Sequence, residues 1–262
     1  MKRLILSIAI LSLVACKKET TTTTTTNTNQ SSTDTTKTNN PSPTTSTNGV
    51  NFKSIGSPIG TFGAGVKDID GNSYKTVVIS NQEWMAENLK VSKYNDGTPI
   101  PNVKTVWSDL KTGAWITYYH KDTMNAKYGK LYNWFAVSPT TNGDKNVCPT
   151  GWHVPTDTEW ADLITFLGGD EVAGGKMKEI GNVNWLEPNS EATNTSLFTA
   201  LPGGLYMDLG YFMLYKGSAN WWSSTENDPG YVWSRSVFND NQTIERGYTI
   251  KSNGLSLRCI KN

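Results

Sequence analysis

The chain divides into a segment that has nothing to bury and a segment that can build a core. Residues 17–48 consist almost entirely of Thr, Ser, Asn and Pro, without any aromatic or large aliphatic side chain. Burial in such a segment cannot offset the entropy lost on ordering, so we expect a disordered tether whose ends lie roughly 30 Å apart. Folding is thereby confined to residues 50–262, a length that suits one domain with a full core.

The first sixteen residues have the organisation of a secretory signal. Two basic residues precede an uncharged, mostly apolar run at residues 4–14, which is shorter than the roughly 20 residues that span a bilayer. The run ends in Leu-Val-Ala-Cys at residues 13–16, which resembles the lipobox of bacterial lipoproteins, in which the cysteine carries the lipid. We therefore expect lipidation of Cys16 and a location outside the cytoplasm, on the outer membrane or cell surface. The alternative is an ordinary cleaved signal with an incidental cysteine.

The predicted organisation has three parts. Residues 1–15 form the signal peptide, residues 16–49 the lipidated cysteine and its Thr-rich linker, and residues 50–262 a single globular domain. Within the linker, the segment around Thr35 resembles the O-glycosylation sequon used in the Bacteroidota, and Thr-rich runs with Pro often carry O-linked sugar. The alternative is an unmodified polar linker.

The three cysteines predict one disulfide bond. If Cys16 carries lipid, Cys148 and Cys259 remain in an oxidising compartment and most simply pair with each other. In the chain-entropy model, closing a loop of about 110 residues contributes up to roughly 4.7 kcal/mol to stability. Two buried free thiols are the alternative. The paired C-x-x-C spacing of zinc sites is absent, which argues against zinc.

Charge and motifs exclude several functional classes. The 24 Lys and Arg residues balance the 23 Asp and Glu residues, and the sequence has no dense basic stripe. This pattern argues against a nucleic-acid partner. The sequence contains no G-x-S-x-G nucleophile elbow, no H-E-x-x-H and no phosphate loop. We therefore expect a monomeric, non-catalytic domain without a cofactor.

The pattern of predicted elements indicates an α+β fold. Thr156 and Glu159 have the spacing of a helix-capping box, and an apolar stripe follows until Gly168-Gly169 ends the helix. Capping therefore explains the acidic pair Asp157 and Glu159 better than catalysis does. A second helix is predicted over residues 173–180, and the segment 128–137 also has helical spacing. The predicted strands cover a hairpin at 66–79, a buried segment at 115–119, and residues 204–207, 221–224, 231–238, 243–250 and 256–260.

Seven segments in one order resemble the Fibrobacter succinogenes major paralogous domain, a family of extracytoplasmic, often lipid-anchored modules. The resemblance runs from about residue 66 to residue 262, and its cysteines correspond to Cys148 and Cys259. The segments are GNSYKTVVISNQEWMAENLK, YGKLYNWFAV, CPTGWHVPTDTEW, AGGKMKEIG, ATNTSLFTALPGG, NWWSSTE and GLSLRCIKN.

A more remote resemblance suggests the fold. The segment HVPTDTEW and the Arg-Cys pair near residue 259 resemble sulfatase-modifying enzymes that generate formylglycine, and C-type-lectin-like domains. This implies a C-type-lectin-like fold with two helices beside small antiparallel sheets and long loops, although fold alone does not fix function. The sulfatase-modifying enzymes use a reactive cysteine pair, whereas the two cysteines here are expected to be bridged. For His153 we expect a structural hydrogen-bonding role.

Two groups of residues are candidates for ligand binding. Glu187-Pro188-Asn189 matches the triplet with which mannose-type lectins bind calcium and sugar, but the partner Trp-Asn-Asp triplet is absent and its nearest echo lies at residues 238–240. Calcium is therefore a weak possibility. Trp221 and Trp222 are consecutive in a predicted strand, so their side chains should point to opposite faces. One indole would then face outward and stack on sugar, unless both faces are covered.

These observations predict a non-catalytic surface module, held at the membrane by an N-terminal lipid, that binds glycan or a surface protein. The alternative is an enzyme on a sulfatase-modifying-factor-like fold that acts on envelope polysaccharide or on secreted proteins.

Overall fold

The structure is a computed structural model that describes residues 56–262. The predicted signal peptide, Cys16, Thr35 and the Thr-rich linker lie outside the described residues. Within 56–262, no helix combines the length and the apolar composition that crossing a membrane requires.

Short strands in five small sheets make up most of the regular structure. In chain order the strands of the described residues are β1 (Thr61–Phe62), β2 (Val66–Lys67), β3 (Ser73–Tyr74), β4 (Thr76–Ile79), β5 (Gln82–Met85), β6 (Trp115–Ile116), β7 (Leu131–Tyr132), β8 (Trp152–His153), β9 (Leu205–Met207), β10 (Tyr211–Met213), β11 (Ser218–Asp228), β12 (Tyr231–Phe238), β13 (Ile244–Ile250) and β14 (Ile260–Lys261). The largest sheet has the order β1-β4-β5-β14-β8, and the longest strands form the sheet β11-β12-β13. All pairings between these named strands are antiparallel.

The helices lie between the early and late strands of the chain. Within residues 56–262 they are α1 (Asp122–Tyr128), α2 (Trp134–Val137), α3 (Pro139–Asn142), α4 (Asp157–Phe166) and α5 (Asp170–Met177), with one 3₁₀ turn at Tyr118–His120. The two longest, α4 and α5, correspond to the two predicted helices. The predicted α+β class is confirmed.

Helix α4 begins at the predicted capping box. The backbone N–H of Glu159 donates to Oγ1 of Thr156 at 3.2 Å, and the backbone N–H of Thr156 donates to Oε2 of Glu159 at 2.7 Å. Two donors that the helix leaves unpaired are thereby satisfied. The apolar stripe of Trp160, Leu163 and Ile164 is buried, as its spacing predicts.

Two helix predictions need correction. The segment 128–137 is not one helix, because α1 ends at Tyr128. The residue after it, Gly129, has a positive φ of 76°, and β7 follows before the four-residue α2. The second predicted helix begins at Asp170 and ends at Met177, several residues earlier than expected. Its backbone packs very closely: a Cβ atom on Gly174 would lie 2.2 Å from the carbonyl oxygen of Thr243.

Three buried apolar clusters form the core. Strand β11 lies between the first two, because Trp222 belongs to the cluster with Tyr132 and Trp134, whereas Trp221 belongs to the cluster with helices α4 and α5. The third cluster surrounds Tyr118 and the hairpin of β9 and β10. Each face of β11 therefore meets a separate part of the core.

A buried arginine joins these clusters to the loops. Nε of Arg258 donates to Oδ1 of Asn88 at 2.9 Å, while its two terminal nitrogens donate to the backbone carbonyls of Phe198 and Thr199. Nε1 of Trp221 donates to the same Asn88 oxygen at 3.0 Å. Burial lowers the pKa of Arg258, but a guanidinium remains charged at neutral pH.

The predicted disulfide bond is present. Cys148 and Cys259 are bonded, with a Cα–Cα separation of 5.9 Å. The alternative of two free thiols is therefore wrong. Residues 56–262 contain this bond and all three buried clusters, so we expect this part of the chain to fold on its own.

We predict that Thr156→Ala lowers the free energy of unfolding by about 1 kcal/mol, because α4 loses its cap. Thr158 is an exposed residue of the same helix without this role, so Thr158→Ala should change stability by less than about 0.5 kcal/mol. Urea denaturation of both variants is the measurement, and equal losses would contradict the capping account.

Candidate ligand-binding site

The structure does not expose either of the paired tryptophans. Trp221 and Trp222 do point to opposite faces of β11, but both are completely buried. Nε1 of Trp222 donates to the carbonyl oxygen of Tyr132 at 2.7 Å, and Trp221 is bonded to Asn88. Of the two alternatives, the one in which core residues cover both faces of this strand is confirmed, and an outward-facing indole is excluded.

The structure separates the roles of Glu187 and Asn189. Asn189 is buried, and its Nδ2 donates to the backbone carbonyls of Glu179 at 2.9 Å and Gly181 at 2.8 Å. Glu187 is exposed, and its backbone carbonyl accepts a hydrogen bond from Nδ2 of Asn239 at 2.8 Å. Within residues 56–262, no group of three or more His, Cys, Asp or Glu side chains converges as a metal site would. Calcium binding by this triplet stays a prediction.

His153 makes two structural hydrogen bonds. Its Nε2 lies 2.8 Å from Oε1 of Glu159, and its Nδ1 lies 2.7 Å from Oδ1 of Asn262. The ring also borders a cavity of about 400 Å³ together with Thr156 and Ser224. Each ring nitrogen thus has a hydrogen-bond partner within the domain. The arrangement agrees with the predicted structural role.

Exposed aromatic side chains lie on strands β12 and β13 instead. Helices α4 and α5 cover one face of the sheet β11-β12-β13, where Trp221, Val237 and Ile244 are buried. The same face continues past the first turn of α4, where it carries Tyr231, Trp233 and Tyr248. Tyr231 is 41 % exposed and Tyr248 is 60 % exposed. We call Tyr231, Trp233, Tyr248 and Arg246 the aromatic row.

The members of the aromatic row hold one another in place. The rings of Tyr231 and Tyr248 lie 5.4 Å apart edge to face, and those of Tyr248 and Trp233 lie 6.1 Å apart in the same arrangement. The guanidinium of Arg246 lies over the Trp233 ring, 3.3 Å from its centroid. Edge-to-face pairs and cation–π contacts each contribute about 1 kcal/mol, so the row is held before any ligand arrives.

Asp157 anchors one end of the row to helix α4. Its carboxylate accepts hydrogen bonds from Nε and Nη2 of Arg246, the shortest of 2.8 Å. It also lies 2.8 Å from Nη1 of Arg235, which is buried. Burial raises the pKa of Asp157, but the hydrogen bonds and charges of Arg246 and Arg235 outweigh it, so the net pKa is lowered. The carboxylate is therefore ionised at neutral pH and fixes both guanidinium groups.

This geometry suits a ligand that presents apolar C–H faces between polar groups. The rings of Tyr248 and Tyr231 offer apolar surface with phenolic hydroxyls at their edges, and Arg246 offers hydrogen-bond donors beside them. The sequence pattern alone does not single out this site. Tyr231 and Trp233 are two residues apart in a correctly predicted strand, which places both on one face. Their exposure depends on how far helix α4 extends over that face.

The family model for the Fibrobacter succinogenes major domain matches residues 77–261, which include every member of the aromatic row and both bridged cysteines. No curated protein matches the chain, and no solved structure matches it. The C-type-lectin-like label for the fold therefore stays a prediction.

We predict that Asp157→Asn destabilises the domain by about 3 kcal/mol at neutral pH, because buried Arg235 loses its carboxylate partner. The pKa of Asp157 is lowered on folding. Its stabilising effect is thus present above the unfolded pKa and is lost as the pH falls through the folded pKa. The difference between wild type and variant should therefore shrink in acid.

Arg246→Met is the matched control, since Arg246 is 45 % exposed and its loss should cost about 1 kcal/mol or less. Urea denaturation at neutral and acid pH measures both variants. A loss for Arg246→Met as large as that for Asp157→Asn would contradict the view that the buried guanidinium dominates.

Proposed function

The chain belongs to the Fibrobacter succinogenes major domain family, and from that premise we propose that it is a lipid-anchored surface module that binds carbohydrate without catalysis. Its ligand is a saccharide that stacks on the exposed rings of the aromatic row. The lipid on Cys16 holds the module at the cell envelope, outside the cytoplasm.

The exposure of Tyr248 and Tyr231 is the observation that carries the carbohydrate proposal. Two large aromatic rings stand in solvent on one sheet face, although the domain buries most of its tryptophan and tyrosine side chains. Covering them would release ordered water from apolar surface. Their orientation is already fixed by contacts with Trp233 and Arg246, so binding would cost little side-chain entropy.

Two observations support a binding role over an enzymatic one. Cys148 and Cys259 form a disulfide bond, so neither offers the free thiol that a cysteine-dependent reaction requires. Both ring nitrogens of His153 are occupied by Glu159 and Asn262. The remaining possibility of an envelope-directed enzyme would be recognised by release of product from a bound saccharide.

The carbohydrate proposal predicts that a protein spanning residues 50–262 binds members of a glycan array. Tyr248→Ala should weaken that binding at least about tenfold, because a stacking contact is lost. The exposed ring of Phe62 lies on β1 rather than on the row, so Phe62→Ala is the matched control and should leave affinity unchanged.

The array should be probed with and without calcium, since Glu187 and Asn189 were candidates for calcium-dependent binding. Absence of binding under both conditions would remove the carbohydrate proposal and leave protein partners. Binding that requires calcium and ignores Tyr248→Ala would place the ligand at the Glu187 loop instead. Cleavage of the bound glycan would favour the enzyme alternative.

The lipid anchor predicts that Cys16→Ser moves the full-length protein from the membrane fraction to the soluble fraction. The thiol is the attachment point, and serine does not replace it in lipidation. Ultracentrifugation of cell lysates, followed by detection of the protein, measures the partition. Continued membrane association of the variant would contradict anchoring through this residue. Thr35→Ala is the matched control, because it changes the linker without touching the lipidated position.

A further inference from the structure

A completely buried lysine follows helix α5. The backbone N–H of Lys178 donates to the carbonyl oxygen of Gly174 at 3.0 Å, which ends the helix. The side chain of Lys178 is 0 % exposed. Lysine is almost never fully buried unless its ammonium has partners. The surrounding residues therefore have to supply acceptors for a full positive charge.

Three backbone carbonyl groups surround this ammonium. Nζ of Lys178 donates to the carbonyl oxygens of Ser190 at 2.9 Å, of Phe238 at 2.9 Å and of Asn241 at 2.7 Å. The ring of Trp185, which is also buried, has its centroid 5.6 Å from Nζ. We call the three oxygens and the Trp185 ring the carbonyl cage. An ammonium has three N–H donors, so each donor has one acceptor in the cage.

The amine in the cage is charged at neutral pH. Burial lowers the pKa of Lys178 to about 8, and the charges of Asp240 and Glu191 act in the opposite direction. Below that pKa the protonated form predominates. The occupant of the cage is therefore a cation.

The cage joins two segments that lie far apart in the chain. One of its oxygens belongs to the residue after the triplet at 187–189, and the other two flank residues 239–240 in the turn after β12. The same segments share two further hydrogen bonds. Nδ2 of Asn239 donates to the carbonyl oxygen of Glu187 at 2.8 Å, and the backbone N–H of Ser190 donates to the carbonyl oxygen of Asn239 at 2.8 Å. The triplet and its distant echo in the sequence thus meet in the folded domain.

A group of converging carbonyl oxygens is a ligand set for a cation. Calcium and potassium are both bound by backbone carbonyl oxygens in proteins. In this domain Nζ of Lys178 lies at the position between the oxygens. A metal ion would have to displace the ammonium, because two cations would compete for the same oxygens.

We propose that the ammonium of Lys178 takes the place of a bound metal ion and orders the junction between residues 186–191 and residues 238–241. The carbonyl cage is a cation site that the chain fills with its own side chain. The loop that carries Glu187 and Asn189 therefore keeps its conformation without calcium. This inference is independent of carbohydrate binding, which depends on the aromatic row.

The test is chemical rescue, measured by thermal denaturation of the residue 50–262 protein at about pH 6.5, below the pKa of Lys178. Lys178→Ala removes three methylene groups and the ammonium, and it leaves the buried carbonyl oxygens without donors. We expect the Tm to fall by at least about 6 °C. n-Propylammonium chloride at about 0.1 M replaces the missing atoms and should raise the Tm of this variant by at least about 3 °C. n-Propanol, which has a similar size and no charge, should not raise it.

Two variants are the controls. Lys178→Met fills the space of the stem without a donor, so it should lose stability and should not respond to n-propylammonium. Lys176 lies in the same helix, is half-buried, and its Nζ also donates to a backbone carbonyl, that of Leu167 at 2.7 Å. Lys176→Ala should lower the Tm by less than about 2 °C and should show no rescue.

The wild-type protein gives an independent measurement. Its Tm should shift by less than about 1 °C when calcium is added or when a chelator is added, because the cage is already occupied. n-Propylammonium should likewise leave the wild-type Tm unchanged. A calcium-dependent rise of several degrees would show that a metal ion orders the loop and would contradict the proposal.

The variants supply the other contradicting results. Equal Tm values for Lys178→Met and wild type would mean that the cage needs no cation. Equal effects of n-propylammonium and n-propanol on Lys178→Ala would mean that charge is not required. If Lys178→Ala does not fold, it is refolded from urea with and without n-propylammonium. Recovery of the native near-ultraviolet circular dichroism only with the amine would support the proposal, and failure under both conditions would overturn it.

Discussion

Asn88 and Arg258 are 170 residues apart in the chain, and the hydrogen bond between them is buried among the aromatic side chains of the core. Arg258 has no carboxylate among its hydrogen-bond partners, so its charge is balanced by the carbonyl dipoles of Phe198 and Thr199 and by the amide of Asn88. Removing any one acceptor would leave a buried cation short of a partner. The loop that carries these carbonyls is thereby held against the central strands. Trp221 shares the Asn88 oxygen, which extends the same constraint to the sheet beyond.

Two exposed surfaces follow from the limits of this core. Helix α4 covers the sheet face only as far as its first turn, where Asp157 pairs with Arg235 and Arg246, and the aromatic row begins at that border. In the hairpin of β9 and β10, Tyr206 and Phe212 contact the third cluster and Leu205 packs against the first, whereas Tyr211 and Met213 are exposed. Each surface consists of several adjacent exposed side chains that contact one another, rather than of isolated exposed residues.

Local signals in the sequence were predictive where one interaction dominates. The capping box of Thr156 and Glu159, the strand Tyr231–Phe238 and the disulfide pairing were all read correctly, since each depends on a few neighbouring or uniquely available residues. For the tryptophan pair the alternation was predicted correctly, but the sequence left open whether both faces are covered, because the covering residues lie about 60 and 90 positions earlier in the chain. The aromatic row was missed for the converse reason. Whether a side chain is exposed depends on which distant residues pack against its face of the sheet. The two-residue alternation along a strand carries no information about those residues.

Strand β14 lies in the interior of the five-stranded sheet, between β5 and β8, and Ile260 pairs with both Trp84 and His153. The sheet therefore cannot close until the chain has been made as far as residue 261. A chain that lacks β14 cannot complete this sheet, even when all of its other strands have been made. Strands β5 and β8 are joined in this sheet only through β14, so a chain shortened before Ile260 would lose the link between them.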